Sequence, residues 1–472
     1  MRTLVWFRTD LRVLDNTALH HASAAGGGCA GLFIVSPGEW RAHDVAPVRV
    51  QFLLRNAREL REQLARLNIP LWVETVEQPV EIPSRVAEVA ARLKANQVLF
   101  NREYELNEWR RDEATIELCA RVGIRAAGYD DQLILPPGSV RTQEGRAYTV
   151  FTPFRKRWLA RLEELGAGKL LAPPGVQRPL EVLSGEVPLT LPGFQSRIPA
   201  ELWPAGEGVA QKRLAEFTSG RIGSYKGDRD FPGVEGTSAL SPYLAAGVIS
   251  ARHCLAAARA ANGGRTDGEG GAATWITELV WREFYVHLIR VFPKLCMHRA
   301  FKPETERIRW SDNEAHFEAW KEGRTGVPIV DAAQRQLVQT GWMHNRLRMI
   351  SAMYLTKDLF IDWRKGEKFF MQHLVDGFLA SNNGGWQWSA STGTDAAPYF
   401  RIFNPVTQSE KFDPEGTFIR KWCPELAGLS NEEIHNPAGL PGLARAKLEY
   451  PEPIVDRSKT KERVMEAFGA LK

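Results

Sequence analysis

Short apolar runs alternate with amphipathic stretches over the first third of the chain, and that alternation fixes the fold class there. Leu4-Val-Trp-Phe7, Gly31-Leu-Phe-Ile-Val35, Leu71-Trp-Val73 and Gln97-Val-Leu-Phe100 read as buried strands. Between them, Val48 to Leu67 places Phe52, Leu53, Leu60, Leu64 and Leu67 at helical spacing, with Pro47 where a first helical turn tolerates it. Glu81 to Leu93 and Glu105 to Val122 also read as helices. Strands separated by helices predict an α/β domain, a parallel sheet of Rossmann-like type with helices on its faces. Ligands on such sheets sit at the carboxyl ends of the strands. No G-x-G-x-x-G is present, and Gly26-Gly-Gly28 reads as a loop rather than a phosphate cradle.

The pattern changes twice. From Asp131 to Pro204 prolines punctuate a polar stretch, with a helix predicted over Tyr148 to Leu165. From Glu207 onward the chain reads as helical, with helices predicted over Ala273–Val291, Gly326–Gln339, Asn345–Phe360 and Lys365–Leu379. The expected organisation is an α/β domain over 1–131, an interdomain connection over 132–206 and an all-α domain over 207–472. At 472 residues one core would be too small a division in any case. Hydrophobic content of 44% with 25% charged residues describes a soluble globular protein. No window is apolar enough for a membrane span, and the charges of Arg8, Asp10 and Arg12 exclude a signal peptide. Five scattered cysteines without a CxxC pair point to a reducing cytoplasm, and no metal-ligand cluster is expected. A net charge of +5, spread along the chain, is weak evidence for a nucleic-acid partner.

Several segments carry candidate chemistry. Gly236-Thr-Ser-Ala-Leu-Ser-Pro242 sets hydroxyls before an apolar run, which suits plain helix capping or an anion. Trp275, Glu278, Trp281 and Arg282 fall within neighbouring helical turns, where Glu278 either pairs with Arg282 or meets a polar ligand. Trp342-Met-His-Asn-Arg-Leu-Arg-Met349 carries two arginines whose default reading is a solvated face. Asn382-Asn-Gly-Gly-Trp-Gln-Trp388 packs an amide pair, two glycines and two tryptophans into seven residues, and Asp395-Ala-Ala-Pro-Tyr-Phe-Arg401 follows. Asn107-Glu108 reads as a helix-start pair near Arg110 and Arg111.

Together with Val5-Trp-Phe-Arg8, these segments resemble the DNA photolyase/cryptochrome family, from the first strand to about Trp422. The resemblance implies an FAD-dependent, light-driven enzyme that repairs cyclobutane pyrimidine dimers in UV-damaged DNA, working as a monomer. A cryptochrome-type blue-light receptor with little repair is the alternative. It implies flavin contacts at Tyr225, Thr237, Ser238, Ala239, Leu240, Ser241, Trp275, Arg282, Arg348, Asp376 and Asn382, with Asn382 facing flavin N5 and Arg348 pairing with Asp376. Ala239 and Phe378 depart from the family pattern: Phe378 stands where a second acid is usual near the flavin ring, which bears on flavin affinity and redox tuning. Glu278 is implied as the residue that hydrogen-bonds the lesion, with DNA contacts at Arg229, Trp281, Asn345, Arg346, Met349, Trp388, Arg401 and Gln408. Trp386, Trp363 and Trp310 match the family's electron-hopping chain, although spacing alone makes them core residues. Asn107 and Glu108 match a folate antenna motif, with Cys296-Met297 at its other half, where a lysine is usual in place of Met297. Methenyltetrahydrofolate is the antenna first expected; a deazaflavin, a second flavin or no antenna are the alternatives.

Overall fold

The computed structural model describes residues 2–182 and 184–471. The five strands are β1 (Thr3–Phe7), β2 (Cys29–Val35), β3 (Leu71–Thr75), β4 (Gln97–Asn101) and β5 (Arg125–Tyr129). They form one parallel sheet in the order β3-β2-β1-β4-β5. β1, β2 and β4 are buried along their whole length, which is why they read as continuous apolar runs. β5 escaped the sequence reading. It is an edge strand with no buried residue, and Arg125-Ala-Ala-Gly-Tyr129 has neither apolar alternation nor strong strand formers.

The chain order reverses between β1 and β4, so the carboxyl ends of these strands open a crevice. A buried polar network fills it. Asn101 Nδ2 donates to Asp10 at 2.7 Å, Arg8 bonds Asp112 and the Asn101 carbonyl oxygen, and Thr9 bonds Glu103. Nearby, Arg252 reaches Asp15 at 2.9 Å and Asp131 at 2.8 Å, while Arg12 also pairs with Asp131. The two guanidinium groups hold the Asp131 carboxyl down at about 2 despite burial.

The remainder is helical. The helices Pro47–Arg66, Leu106–Arg121, Phe151–Leu165, Gly271–Val291 and Pro328–Thr340 lie close to the predicted spans. Two expectations are corrected. The helix predicted over Asn345–Phe360 is α-helical only to Met353 and continues as a π-helical turn over Tyr354–Asp358. The helix predicted over Lys365–Leu379 ends at Met371, and a separate helix, Leu379–Ala390, begins only where the predicted one was to stop. Between them Leu374, Val375 and Phe378 are buried in a non-helical segment, so their apolar spacing came from tertiary packing rather than from helical period.

The Leu379–Ala390 helix contains Asn382-Asn-Gly-Gly, poor helix formers for which no helix was predicted. Side-chain bonds offset that weakness: Asn383 Nδ2 donates to Glu367 Oε1 at 2.9 Å, and Gln387 Nε2 donates to Asn383 Oδ1 at 2.9 Å. Gly366 on the preceding helix lies against the Trp386 ring, and a Cβ there would collide with it.

By compactness the chain divides into two units: Met1–Gly223 with Ser238–Pro293 and Val375–Phe378, and Ser224–Thr237 with Lys294–Leu374 and Leu379–Lys472. No helix among the described residues is long and apolar enough to cross a membrane.

Candidate functional site

In the first unit, the Gly271–Val291 helix presents Trp275, Glu278, Trp281 and Arg282 on adjoining turns. Trp275 is buried, its ring 5.2 Å from that of Phe217. Glu278 is half-buried. Trp281 lies flat on Phe151, with ring centroids 3.5 Å apart and planes 7° from parallel. Phe151 belongs to the stretch read as a connection, and nothing in its local sequence singles it out; only the fold brings it to Trp281.

Arg282 donates from Nη1 to the Gln132 carbonyl oxygen at 2.9 Å, and its guanidinium carbon lies 4.9 Å from the Phe378 ring centroid. It therefore does not pair with Glu278, the bland expectation from sequence. The adjacent Glu283 is fully occupied elsewhere. It accepts from Ile134 N, from Leu135 N at 3.3 Å and from Trp158 Nε1 at 2.6 Å, and burial pushes its carboxyl up to about 7. Glu283 thus fastens the 132–135 segment and the Phe151–Leu165 helix to the helix that carries the site.

The hydroxyl segment lies partly in the same unit. The short helix Ser241–Ala245 has no side-chain cap, so the capping expectation fails there. Ser241 Oγ donates instead to Asp376 Oδ2 at 2.6 Å, and Ser238 Oγ accepts from Leu240 N at 3.4 Å. Ala239 holds φ at 47°, in the left-handed region that costs a residue with a Cβ free energy and that concentrates at ligand-binding turns. Leu240 and Ser238 are buried.

Asn107 and Glu108 open the Leu106–Arg121 helix, and His43 stands against both. His43 Nδ1 is 3.1 Å from Glu108 Oε1, and its Nε2 is 3.2 Å from Asn107 Nδ2. The hydrogen bond that His43 Nδ1 donates to Glu108 raises the His43 pKa. Arg111 turns away to Glu39 at 2.6 Å and to Glu103. Sequence reasoning missed His43, which is 64 residues away from Asn107. Burial and the neighbouring Glu108 push the Glu105 carboxyl up to about 7.

In the second unit, Tyr225 is buried with Arg229 above its ring at 5.8 Å, and Thr237 ends the same segment. Asp230 lies between two predicted DNA contacts, 3.7 Å from Arg229 Nε and 2.7 Å from Arg346 Nη2. Arg346 also covers the Phe412 ring at 4.4 Å, with Met349 Sδ 3.9 Å from its Nη1. Asn345 is exposed at the start of its helix, and Arg348 donates to the Met343 carbonyl oxygen at 2.8 Å. Trp388 is half-buried, its ring 6.5 Å from Phe403. Arg401 is exposed, and Gln408 is half-buried on the Pro405–Phe412 helix.

Asn382 Nδ2 donates to the Glu367 carbonyl oxygen at 3.0 Å, and its Oδ1 has no partner among the described residues. Trp386 and Trp363 are buried, while Trp310 is half-buried against Phe360 at 5.1 Å. Trp386 also meets Trp320, with centroids 6.0 Å apart, a buried tryptophan that no local motif distinguishes among the 15.

Residues 3–175 match the DNA photolyase model, and residues 275–470 match the FAD binding domain of DNA photolyase. The deoxyribodipyrimidine photo-lyase of Vibrio cholerae is 45% identical, covering 99% of this chain and 99% of that protein. The chain belongs to the DNA photolyase family. The Escherichia coli deoxyribodipyrimidine photo-lyase is also 45% identical, covering 99% of this chain and 98% of that protein. Among solved structures, a bacterial class III photolyase from Agrobacterium tumefaciens superposes with a TM-score of 0.88 at 35% identity, over 100% of this chain and 97% of that one. A Synechocystis cryptochrome gives 0.86 at 28% identity over 99% of each chain. An archaeal photolyase from Sulfolobus tokodaii with two FAD molecules gives 0.84 at 31% identity over the full length of both.

Proposed function

We propose that this chain repairs cyclobutane pyrimidine dimers in UV-damaged DNA, using light and reduced FAD. The 45% identity over 99% of the chain to proteins named for that activity carries the reading. Each unit contributes side chains suited to it. The residues present fit FAD: a guanidinium with unmatched N–H donors at Arg282, a left-handed turn at Ala239 among hydroxyls, and an unmatched amide oxygen at Asn382. Tyr225, Thr237, Ser238, Ala239, Leu240, Ser241, Trp275, Arg282, Arg348, Asp376 and Asn382 hold the cofactor in this reading. When bound, FAD supplies the light-driven electron that opens the dimer.

The chain's own part is binding, orientation and electrostatics. Arg229, Asn345, Arg346, Arg401 and Gln408 bind the DNA strand, the cations supplying phosphate affinity. Trp281, backed by Phe151, and Trp388 offer apolar faces on which a lesion turned out of the duplex can rest, beside Met349. Glu278, half-buried on the Trp281 helix, hydrogen-bonds the damaged bases. Trp310, Trp363 and Trp386 form a route from half-buried to buried positions for electrons that restore the reduced cofactor.

Asn107 and Glu108, with His43, hold an antenna chromophore in this reading. We propose a folate; a deazaflavin or a second FAD, as the Sulfolobus protein's two FAD molecules suggest, is the alternative. The absorption spectrum of the chromophore released from native protein separates the three. The five free cysteines suit action in a reducing cytoplasm, and a monomer is sufficient for every role named.

The Synechocystis cryptochrome superposes as well as the photolyases, its TM-score of 0.86 falling between their 0.88 and 0.84, so a photoreceptor is the second reading. Dark and illuminated incubations of the reduced protein with DNA carrying either cyclobutane dimers or (6-4) photoproducts decide between them. Light-dependent loss of cyclobutane dimers alone supports the proposal, and bound flavin with neither lesion repaired supports the photoreceptor.

A further inference from the structure

Arg282 is half-buried, and its charge faces an aromatic ring rather than a carboxylate. Its guanidinium faces the Phe378 ring at 4.9 Å and donates once, to the Gln132 carbonyl oxygen. Among the described residues it forms no ion pair. The adjacent carboxylate, Glu283, is committed to Ile134, Leu135 and Trp158. An aromatic face attracts the cation through its quadrupole and holds it in place. Unlike a carboxylate, it leaves the positive charge uncancelled.

We propose that Phe378 keeps the charge of Arg282 available to the bound flavin, so that this pair sets the flavin's reduction potential higher than an acid at position 378 would. The inference rests on the flavin-binding reading above. Two-electron reduction leaves a flavin with one negative charge when it takes up a single proton, and a nearby unpaired cation stabilises that form over the neutral oxidised one. A carboxylate at 378 would pair with Arg282 and cancel that preference. The loss of a polar side chain at 378 is in this light a gain in redox bias: Phe378 positions Arg282 and leaves its charge free.

The test is an anaerobic redox titration of FAD-loaded wild type, Phe378→Asp and Phe378→Leu, followed by flavin absorbance. In Phe378→Asp the ratio of reduced to oxidised flavin at a fixed poise falls at least tenfold, about 30 mV for a two-electron couple. In Phe378→Leu, which removes the ring but adds no charge, it stays within about threefold of wild type, since the charge of Arg282 remains. A Phe378→Asp protein with the wild-type ratio overturns the proposal, and so does a Phe378→Leu protein that falls as far as Phe378→Asp. Should Phe378→Asp fail to fold, Arg282→Gln puts the same question by removing the charge: an unchanged ratio overturns the proposal and a tenfold fall supports it. A wild type that retains no flavin defeats the flavin-binding reading itself, which is a separate result.

Discussion

Asn382 donates its side-chain N–H to the backbone oxygen of Glu367 at 3.0 Å, and this one bond decides which way the amide points. An amide has a donor end and an acceptor end. With the donor anchored to the preceding helix, Oδ1 is presented to whatever N–H donor lies beyond it. A flavin protonated at N5 offers such a donor, and the oxidised form does not. Asn382→Leu should therefore weaken retention of the reduced state by about one hydrogen bond, roughly 1 kcal/mol or fivefold. Reoxidation of the reduced protein on admission of air, read from flavin absorbance, should be several times faster. An unchanged rate would remove Asn382 from this role.

Asp230 restrains two of the cations proposed to bind DNA, at 2.7 Å from Arg346 and 3.7 Å from Arg229. Its negative charge opposes phosphate and occupies the donors that phosphate needs. Asp230→Asn should tighten binding to undamaged DNA by roughly threefold to tenfold and steepen the salt dependence. Fluorescence anisotropy at two ionic strengths checks this; weaker binding in the variant would place both arginines away from the DNA.

His43 and Glu108 form a pair whose contribution depends on pH. The His43 pKa is raised above its usual 6.5. The protonated pair therefore stabilises the fold fully below the unfolded value, and the contribution is lost as pH rises through the raised folded value. The stability difference between wild type and His43→Ala should be widest at about pH 5.5 and should close by about pH 9. Urea denaturation at both pH values measures it, and a difference that grows with pH would contradict the pairing.

Gly366 leaves room for the Trp386 ring, and Leu355 closes the same space. Gly366→Ala forces the ring or the helix to move, at about 1–3 kcal/mol. Because Trp386 is also proposed to carry electrons, the same substitution should slow photoreduction of the flavin. Wild-type stability in the variant would show that the two helices have slack that the contact geometry denies.

The α/β half was legible because β1, β2 and β4 are wholly buried and their helices carry clear apolar stripes. The edge strand β5 was not, since an exposed edge imposes no pattern on its residues. In the helical half, burial of Leu374, Val375 and Phe378 imitated helical spacing across a break. The Leu379–Ala390 helix was hidden because Asn383, Gln387 and Glu367 stabilise it through bonds that no local propensity records. Site residues were named where they resemble a family. Their partners Phe151, Asp230, Glu283 and His43 were not, because each meets its site only through tertiary folding.

The most direct test of the central claim is the repair of UV-irradiated oligothymidylate. The purified protein is reduced, kept anaerobic and lit with near-UV or blue light while absorbance in the base band is followed. Recovery of that absorbance in the light and none in the dark is the predicted result. No recovery, with flavin bound and reduced, would contradict the account.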